Sequence, residues 1–438
     1  MIRVTESDQV DAPYRDDGAS RSRTSGELGR LARSRSLPDP LYGTVRVAAW
    51  AAALLTTPPL RRLVSVSLSD VPGDLLFAHA FPSRLDHTLG VYHLARLARP
   101  RDRALQAAAL FHDLGHGPFS HLTEPLMRER LGEDHESRSV RLVAQVRASL
   151  PAGAARLLTW LDWGAVTALM QGAGMDGRGA LLNGQLDYDN CDNVARFLLA
   201  SGLGTPSYDP VALARGLRPL AADLADGGNV PGGVLLLPAV EAQAQAWRAD
   251  RALVYGFLHA GHQNLAAHSM LRKAVDLAAA SNILPAHFFD LSDAEALALF
   301  ARALDRGLAG LVGRVRAGKH ELYRCVWEAE LPAEASALPN GWQARLALEA
   351  RLAAEAALAP HEVIVEALVS KAERSLPPVA GAGRSRPLTL AATAPSAPCI
   401  LHLFAAPDAG RDYVHRLRLA AERHFAPLGA RIQPAGGD

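Results

Sequence analysis

"FHDLGHGPFSH", residues 111–121, places three histidines and an aspartate in eleven residues that also hold two glycines and a proline. A buried imidazole needs partners for both ring nitrogens, and an exposed one gains nothing from clustering. The stretch "ALQAAALFHD" (104–113) reads as a buried helix that stops at Gly115 and Gly117, with Pro118 blocking continuation. His112 and His116 are four apart and share a face where the helix runs that far. His112 and Asp113 are adjacent, and at a helix end both can turn into one cleft. Imidazole plus carboxylate suits Mn, Fe, Zn or Mg rather than an ion that seeks thiolates. Two ligands make a weak site, so the remainder must come from elsewhere in the chain.

Two other segments supply candidates. Upstream, "SRLDHTLGVYHLARL" (83–97) sets His87 near the start of an amphipathic helix. Downstream, "GQLDYDNCDNVARF" (184–197) holds Asp187, Asp189 and Asp192. Spacing alone does not choose between Asp187 and Asp189. Asp189, Asp192 and Arg196, three and four apart, also fit a helix start with a surface ion pair. Seven of the sixteen histidines (79, 87, 93, 112, 116, 121 and 135) fall within this part of the chain, so the cluster is not random filling.

In the contexts "RLDHTLG", "HDLGHGPFSH" and "GQLDYDNCD", His87, the pair His112–Asp113 and a late aspartate resemble the HD superfamily of metal-dependent phosphohydrolases. Within it the likeness is to the dNTP triphosphohydrolase branch. It takes in "DPLYG" (39–43), "RRL" (61–63) and "DHESRSV" (134–140), and extends weakly to "GKHELYRCVWEAEL" (318–331) and "HEVIVEAL" (361–368). The HDxxED and GYP signatures of two other HD branches are absent from the sequence.

The resemblance implies metal ligands His87, His112, Asp113 and Asp189, holding one divalent ion (Mn, Fe, Mg or Co). It implies active-site roles for His116, His121 and His135. His121 and His135 would serve the attack and leaving-group sides, and His116 the phosphates. Glu124 stands where the family has an aspartate that orients such a histidine, one methylene shorter. Arg84 matches an arginine that contacts phosphate, a role a guanidinium fills with two parallel donors.

The nucleoside pocket departs from the family. Asn190, Asn193 and Phe197 occupy positions where a lysine, a tyrosine and an aspartate are usual. His259 falls where a tyrosine packs on the sugar, with Tyr255 close by, and Leu68 replaces a glutamine. The substrate-binding candidates are therefore Arg84, His116, Asn190, Asn193, Tyr255 and His259. Changed buried donors and acceptors alter which sugar is preferred, so the resemblance implies a kept reaction with altered sugar selection. Asp39 matches a family activator contact, but Val64 replaces its basic neighbour, so activation by a second nucleotide is not carried over.

Composition bounds the alternatives. The 438 residues carry a formal charge of +1, which gives no global field toward nucleic acid or anionic lipid. Cys191, Cys325 and Cys399 lie far apart without a CxxC, against a disulfide framework or a zinc ribbon. No secretory signal is visible, and the longest apolar run, near "VAAWAAALL" (47–55), is too short to span a bilayer. A cytoplasmic enzyme with a nucleotide substrate is expected, without membrane association or strong nucleic-acid binding. The family adds the expectation of a homo-oligomer. The expected fold is mainly α: a disordered tail (1–36), an HD-domain helical catalytic core (37–330), and a small mixed α/β C-terminal lobe (331–438). In that lobe "WQARLALEARLAAEAALA" (342–359) and 411–425 read as helices, and 362–368 and 398–406 as strands. The competing functions are a 5′-nucleotidase or a phosphohydrolase of an unusual nucleotide, and a nucleic-acid-binding regulator with a vestigial site.

Overall fold

The computed structural model describes residues 36–76, 81–173, 176–220, 233–332, 341–369, 376–380 and 399–432. The expected tail lies outside them except for Ser36, which opens a strand, and His79 also falls outside.

The chain is mainly helical. A hairpin of β1 (Ser36–Asp39) and β2 (Gly43–Arg46) leads into α1 (Ala49–Leu54) and α2 (Pro58–Arg62). The helices that build the site are α3 (Arg84–Ala98), α4 (Arg103–Phe111), α5 (Glu124–Leu131) and α6 (His135–Ala148). After α7 (Ala152–Leu157) and α8 (Trp163–Met170) comes α9 (Tyr188–Ala200), which packs on α3. Each site helix except α5 starts at a side-chain cap. Ser83 and Asp134 form capping boxes with Asp86 and Ser137, while Asp102 and Asp187 accept from Leu105 N and Asn190 N. Each cap satisfies amides that the first turn leaves unpaired.

α10 (Pro210–Gly216) continues into a hairpin of β3 (Leu217–Leu220) and β4 (Gly233–Leu236). Then follow α11 (Glu241–Ala260), α12 (His262–Ala280), α13 (Asp293–Ala301) and α14 (Arg306–Ala317). The mixed lobe is an antiparallel sheet in the order β6–β7–β5–β8, from β5 (Arg324–Leu331), β6 (Val363–Val369), β7 (Cys399–Ala405) and β8 (Arg431–Ile432). α15 (Trp342–Ala356) and α16 (Arg411–Phe425) cover one face, where Trp327, Leu352, Leu403 and Phe425 share a core. The other face turns Ile364 and Phe404 into the core of α12, α13 and α14. Both strands and both helices read in the lobe from sequence are present. β5 begins before residue 331, where the lobe is expected to start, and lies within the 318–331 stretch to which the family likeness weakly extends. Among the described residues no helix is long and apolar enough to cross a membrane.

Candidate active site

α4 ends at Phe111, and the chain turns at once into the loop 112–121. The loop is held from behind. Arg62 donates to the carbonyls of Leu114 and His116 at 2.9 and 2.5 Å. Arg138 donates to Gly115 O at 2.7 Å, and Ser139 Oγ takes Gly115 N–H while donating to His112 O. A Cβ on Gly115 would lie 2.0 Å from His135 O, so only glycine lets the loop lie this close to α6. Phe119 and Ser120 both adopt positive φ (60° and 52°). That costly backbone is fixed by Asp293, which accepts from Phe119 N and Ser67 N at 2.7 Å each.

Because the helix stops at Phe111, His112 and His116 do not share a helical face. They join two different groups. In the first, His87 Nε2 lies 3.3 Å from His112 Nε2, 3.0 Å from Asp189 Oδ1 and 3.7 Å from Asp113 Oδ2. His112 Nε2 is 3.5 Å from Asp113 Oδ1. The expected ligands His87, His112, Asp113 and Asp189 thus converge. Asp187 does not join them as a ligand, because its carboxylate accepts from Gly184 N, Asn190 N and Asn190 Nδ2 as the cap of α9.

The tautomers follow from the second nitrogens. His87 Nδ1 meets Asp192 Oδ2 at 2.7 Å, and His112 Nδ1 meets the Ala109 carbonyl at 2.9 Å. Both partners only accept, so each Nδ1 carries a proton, and each Nε2 offers a lone pair when its ring is neutral. Two Nε2 atoms 3.3 Å apart beside two carboxylates need a proton or a metal ion between them, and two imidazoles with two carboxylates are a donor set that fits a divalent ion. Before an ion arrives, burial lowers the His87 pKa, but Asp189 and Asp192 outweigh it and raise it to about 9, so Nε2 then also holds a proton, one that a metal ion would displace.

Behind His87, Asp192 was readable as part of a surface pair with Arg196. Instead both are buried, and Asp192 accepts from Arg196 Nε and Nη2 at 2.8 Å each and from Tyr42 OH at 2.8 Å. Arg196 continues to Asp39 at 3.1 Å. Asp39 is therefore buried in the support of the site, and Val64 is buried in the core. Gly90 faces Asp192 so closely that a Cβ there would meet its oxygen at 1.9 Å.

The second group is His116, His121 and His135, whose ligating nitrogens lie within 4.8 Å of one another. His116 stacks on His135 with ring centroids 4.2 Å apart, and His121 stands edge-on to both. One oxygen of Glu124 faces His121 Nδ1 and His135 Nδ1 at 3.1 Å each, so the longer acid still reaches both rings. Burial lowers the His135 pKa, but Glu124 and Asp113 outweigh it and hold the imidazole above its usual range. Burial, with Arg84 and His135 nearby, pushes His116 well below its usual range. Its Nδ1 finds no hydrogen-bond partner among the described residues. Arg84 is buried, donating to Asp113 Oδ2 and Ser120 Oγ at 2.9 Å each. Burial raises the Asp113 pKa, but His112, Arg84 and His116 outweigh it and hold the carboxyl well below the usual range.

A cleft of about 710 Å³ opens beside this machinery, with Arg84, His121, Glu124, Asn193, Phe197 and Tyr255 on its wall. Asn190 instead lines a smaller cavity of about 120 Å³ with His112, Asp113 and Asp189. Leu68 lies on the larger cleft, and Phe197 packs edge-on against Phe81 at 5.4 Å. His259 lies in α11, but its side chain is outside the described residues. Sequence reading missed Asp192, Tyr42, Arg62, Ser139 and Asp293 as supports. Only the three- and four-residue spacings within α9 hinted at the first.

Residues 84–159, which contain both groups apart from Asp189, match the HD domain family. The chain carries an HD domain. The deoxynucleoside triphosphate triphosphohydrolase SAMHD1 of Gallus gallus is 32% identical over 123 residues, covering 24% of this chain and 20% of that protein. A deoxyguanosinetriphosphate triphosphohydrolase-like protein of Brucella ovis is 39% identical over 77 residues, 15% of this chain and 18% of its own length. The uncharacterized protein YwfO of Bacillus subtilis is 28% identical over 218 residues, 44% of this chain and 46% of that one. The chain therefore spans about a fifth of the length of the first curated relatives it matches.

Proposed function

We propose that this protein is a metal-dependent phosphohydrolase of nucleotides that cleaves a (deoxy)nucleoside triphosphate into nucleoside and triphosphate. The observation that carries the reading is the convergence of His87 Nε2 and His112 Nε2, 3.3 Å apart, with Asp113 and Asp189 beside them. A divalent ion held there would lower the pKa of a water and neutralise charge developing on phosphate. The rest is the work of the chain. Arg84, already desolvated and oriented by Asp113 and Ser120, offers its guanidinium to phosphate oxygens. Neutral His116 lies beside it for the phosphate chain. His121 takes the proton of the attacking water, and His135, kept as imidazolium by Glu124, gives a proton to the 5′ oxygen as its bond to the α-phosphorus breaks.

Substrate choice is assigned to the cleft. Phe197 and Leu68 give its wall apolar surface where a sugar hydroxyl would otherwise find a partner. A pocket of this kind rejects an extra hydroxyl only weakly. The test is to incubate metal-loaded protein with a panel of NTPs, dNTPs and monophosphates and identify every product by mass. Nucleoside with intact triphosphate supports the reading and reports the sugar preference. Phosphate released only from monophosphates would replace it with a nucleotidase, and no turnover of any nucleotide would overturn it.

A further inference from the structure

We propose that His262, Cys325, Glu328 and His402 form a second metal site, for a borderline-soft divalent ion of the zinc type, between α12 and the C-terminal sheet. Their donor atoms all lie within 4.8 Å of one another. His402 Nδ1 is 3.2 Å from Glu328 Oε2 and 3.9 Å from Cys325 Sγ, and His262 Nε2 is 3.5 Å from the same Glu328 oxygen. A tetrahedral zinc ion, with Zn–N about 2.0 Å and Zn–S about 2.3 Å, separates its donors by roughly 3.3–3.6 Å. The four side chains need only small adjustments to reach that geometry.

The backbone is shaped for this grouping. In a regular strand Cys325 and Glu328, three apart, point to opposite faces. β5 carries a bulge between Cys325 and Trp327, so that Cys325 pairs with Phe404 and Glu328 with His402. The extra residue turns Cys325 and Glu328 to one face. That face also carries Phe404 and looks onto α12, whose first residue is His262. The neighbouring charged groups there are Glu366, paired across the sheet with His402, and Arg272, which neutralises Glu366 at 3.0 Å. They leave Glu328 as the carboxylate for the cluster. Two imidazoles, a thiol and a carboxylate form a zinc-type donor set, in contrast to the thiol-free set around His87. Asn264, Leu265 and His268 of α12 line the large cleft, so an ion here would fix one wall of it.

The test uses full-length protein carrying His112→Ala, so that the first site is disabled, titrated with Co²⁺ as a spectroscopic stand-in for zinc. A thiolate-to-cobalt charge-transfer band in the near ultraviolet is expected, with one ion bound per chain. Cys325→Ser added to this background should abolish the band. His262→Ala, a change at an exposed helix start, should weaken cobalt binding while leaving unfolding of the metal-free protein unchanged. Absence of the band, its persistence in Cys325→Ser, or unchanged cobalt affinity in His262→Ala would each overturn the proposal. None of these readouts depends on nucleotide hydrolysis.

Discussion

One oxygen of Asp192, Oδ2, accepts from both His87 Nδ1 and Arg196 Nε, at 2.7 and 2.8 Å. The carboxylate thereby fixes the His87 tautomer while its own charge is balanced by a buried guanidinium. Asp192→Asn keeps the shape and removes the charge. Metal affinity should fall about 10–100-fold, as when the outer partner of a ligating histidine is lost. Chelator competition measures it, and unchanged affinity would show that His87 needs no such support.

His112→Ala removes one of the two facing imidazole nitrogens. Bound metal at this site and nucleotide turnover should disappear together, read as metal per chain and as product by mass. A variant that kept both would show that His112 is not a ligand.

The Glu124 carboxylate raises the pKa of His135. In the proposed role of proton donor, His135 would work while protonated, so activity should persist above the usual imidazole range and be lost as pH rises through the raised value. Glu124→Gln removes that support and lowers the pKa again. The alkaline limb of the kcat profile should therefore move to lower pH. A limb that stays in place would take the proton donor's role from His135.

Gly115 and Gly153 make a matched pair of tests. A Cβ at Gly115 meets His135 O at 2.0 Å and Ser139 N at 2.7 Å, both backbone atoms that cannot swing aside. Gly115→Ala should destabilise the protein by about 1–3 kcal/mol and reduce turnover by displacing His135. At Gly153, in α7, nothing lies within 4 Å. Gly153→Ala should be neutral or stabilise by up to about 1 kcal/mol. Chemical denaturation compares the two, and equal effects would contradict the close approach of loop and helix.

What could be read from the sequence follows from the range of each interaction. The strands and helices of the lobe depend on neighbours a few residues apart, and local pattern expresses them, whereas α4 ends at Phe111, short of the glycines where the pattern places its end. The four converging candidate ligands follow from family likeness, since spacing leaves Asp187 and Asp189 equivalent. The structure separates them by burial and capping. Arg62, Asp293 and the Asp39–Arg196–Asp192 chain act across long stretches of sequence, where no periodicity marks them. The bulge in β5 was also hidden, because nothing in "YRCVWEAEL" (323–331) shows that one residue is unpaired.

The loop 112–121 is braced by Arg62, Arg138, Ser139 and Asp293, whereas the far wall of the cleft comes from α11 and α12. In the proposed reading, part of the surface that would select a substrate thus lies on stretches of chain away from the reactive loop, although Leu68 and Phe197 share the cleft wall. Drift in Arg251, Tyr255 or Asn264 can retune recognition without touching the residues that brace the reactive loop, whereas His268 faces Asp70, which also accepts from His121 N. A lineage built this way can exchange substrates while its chemistry stands still.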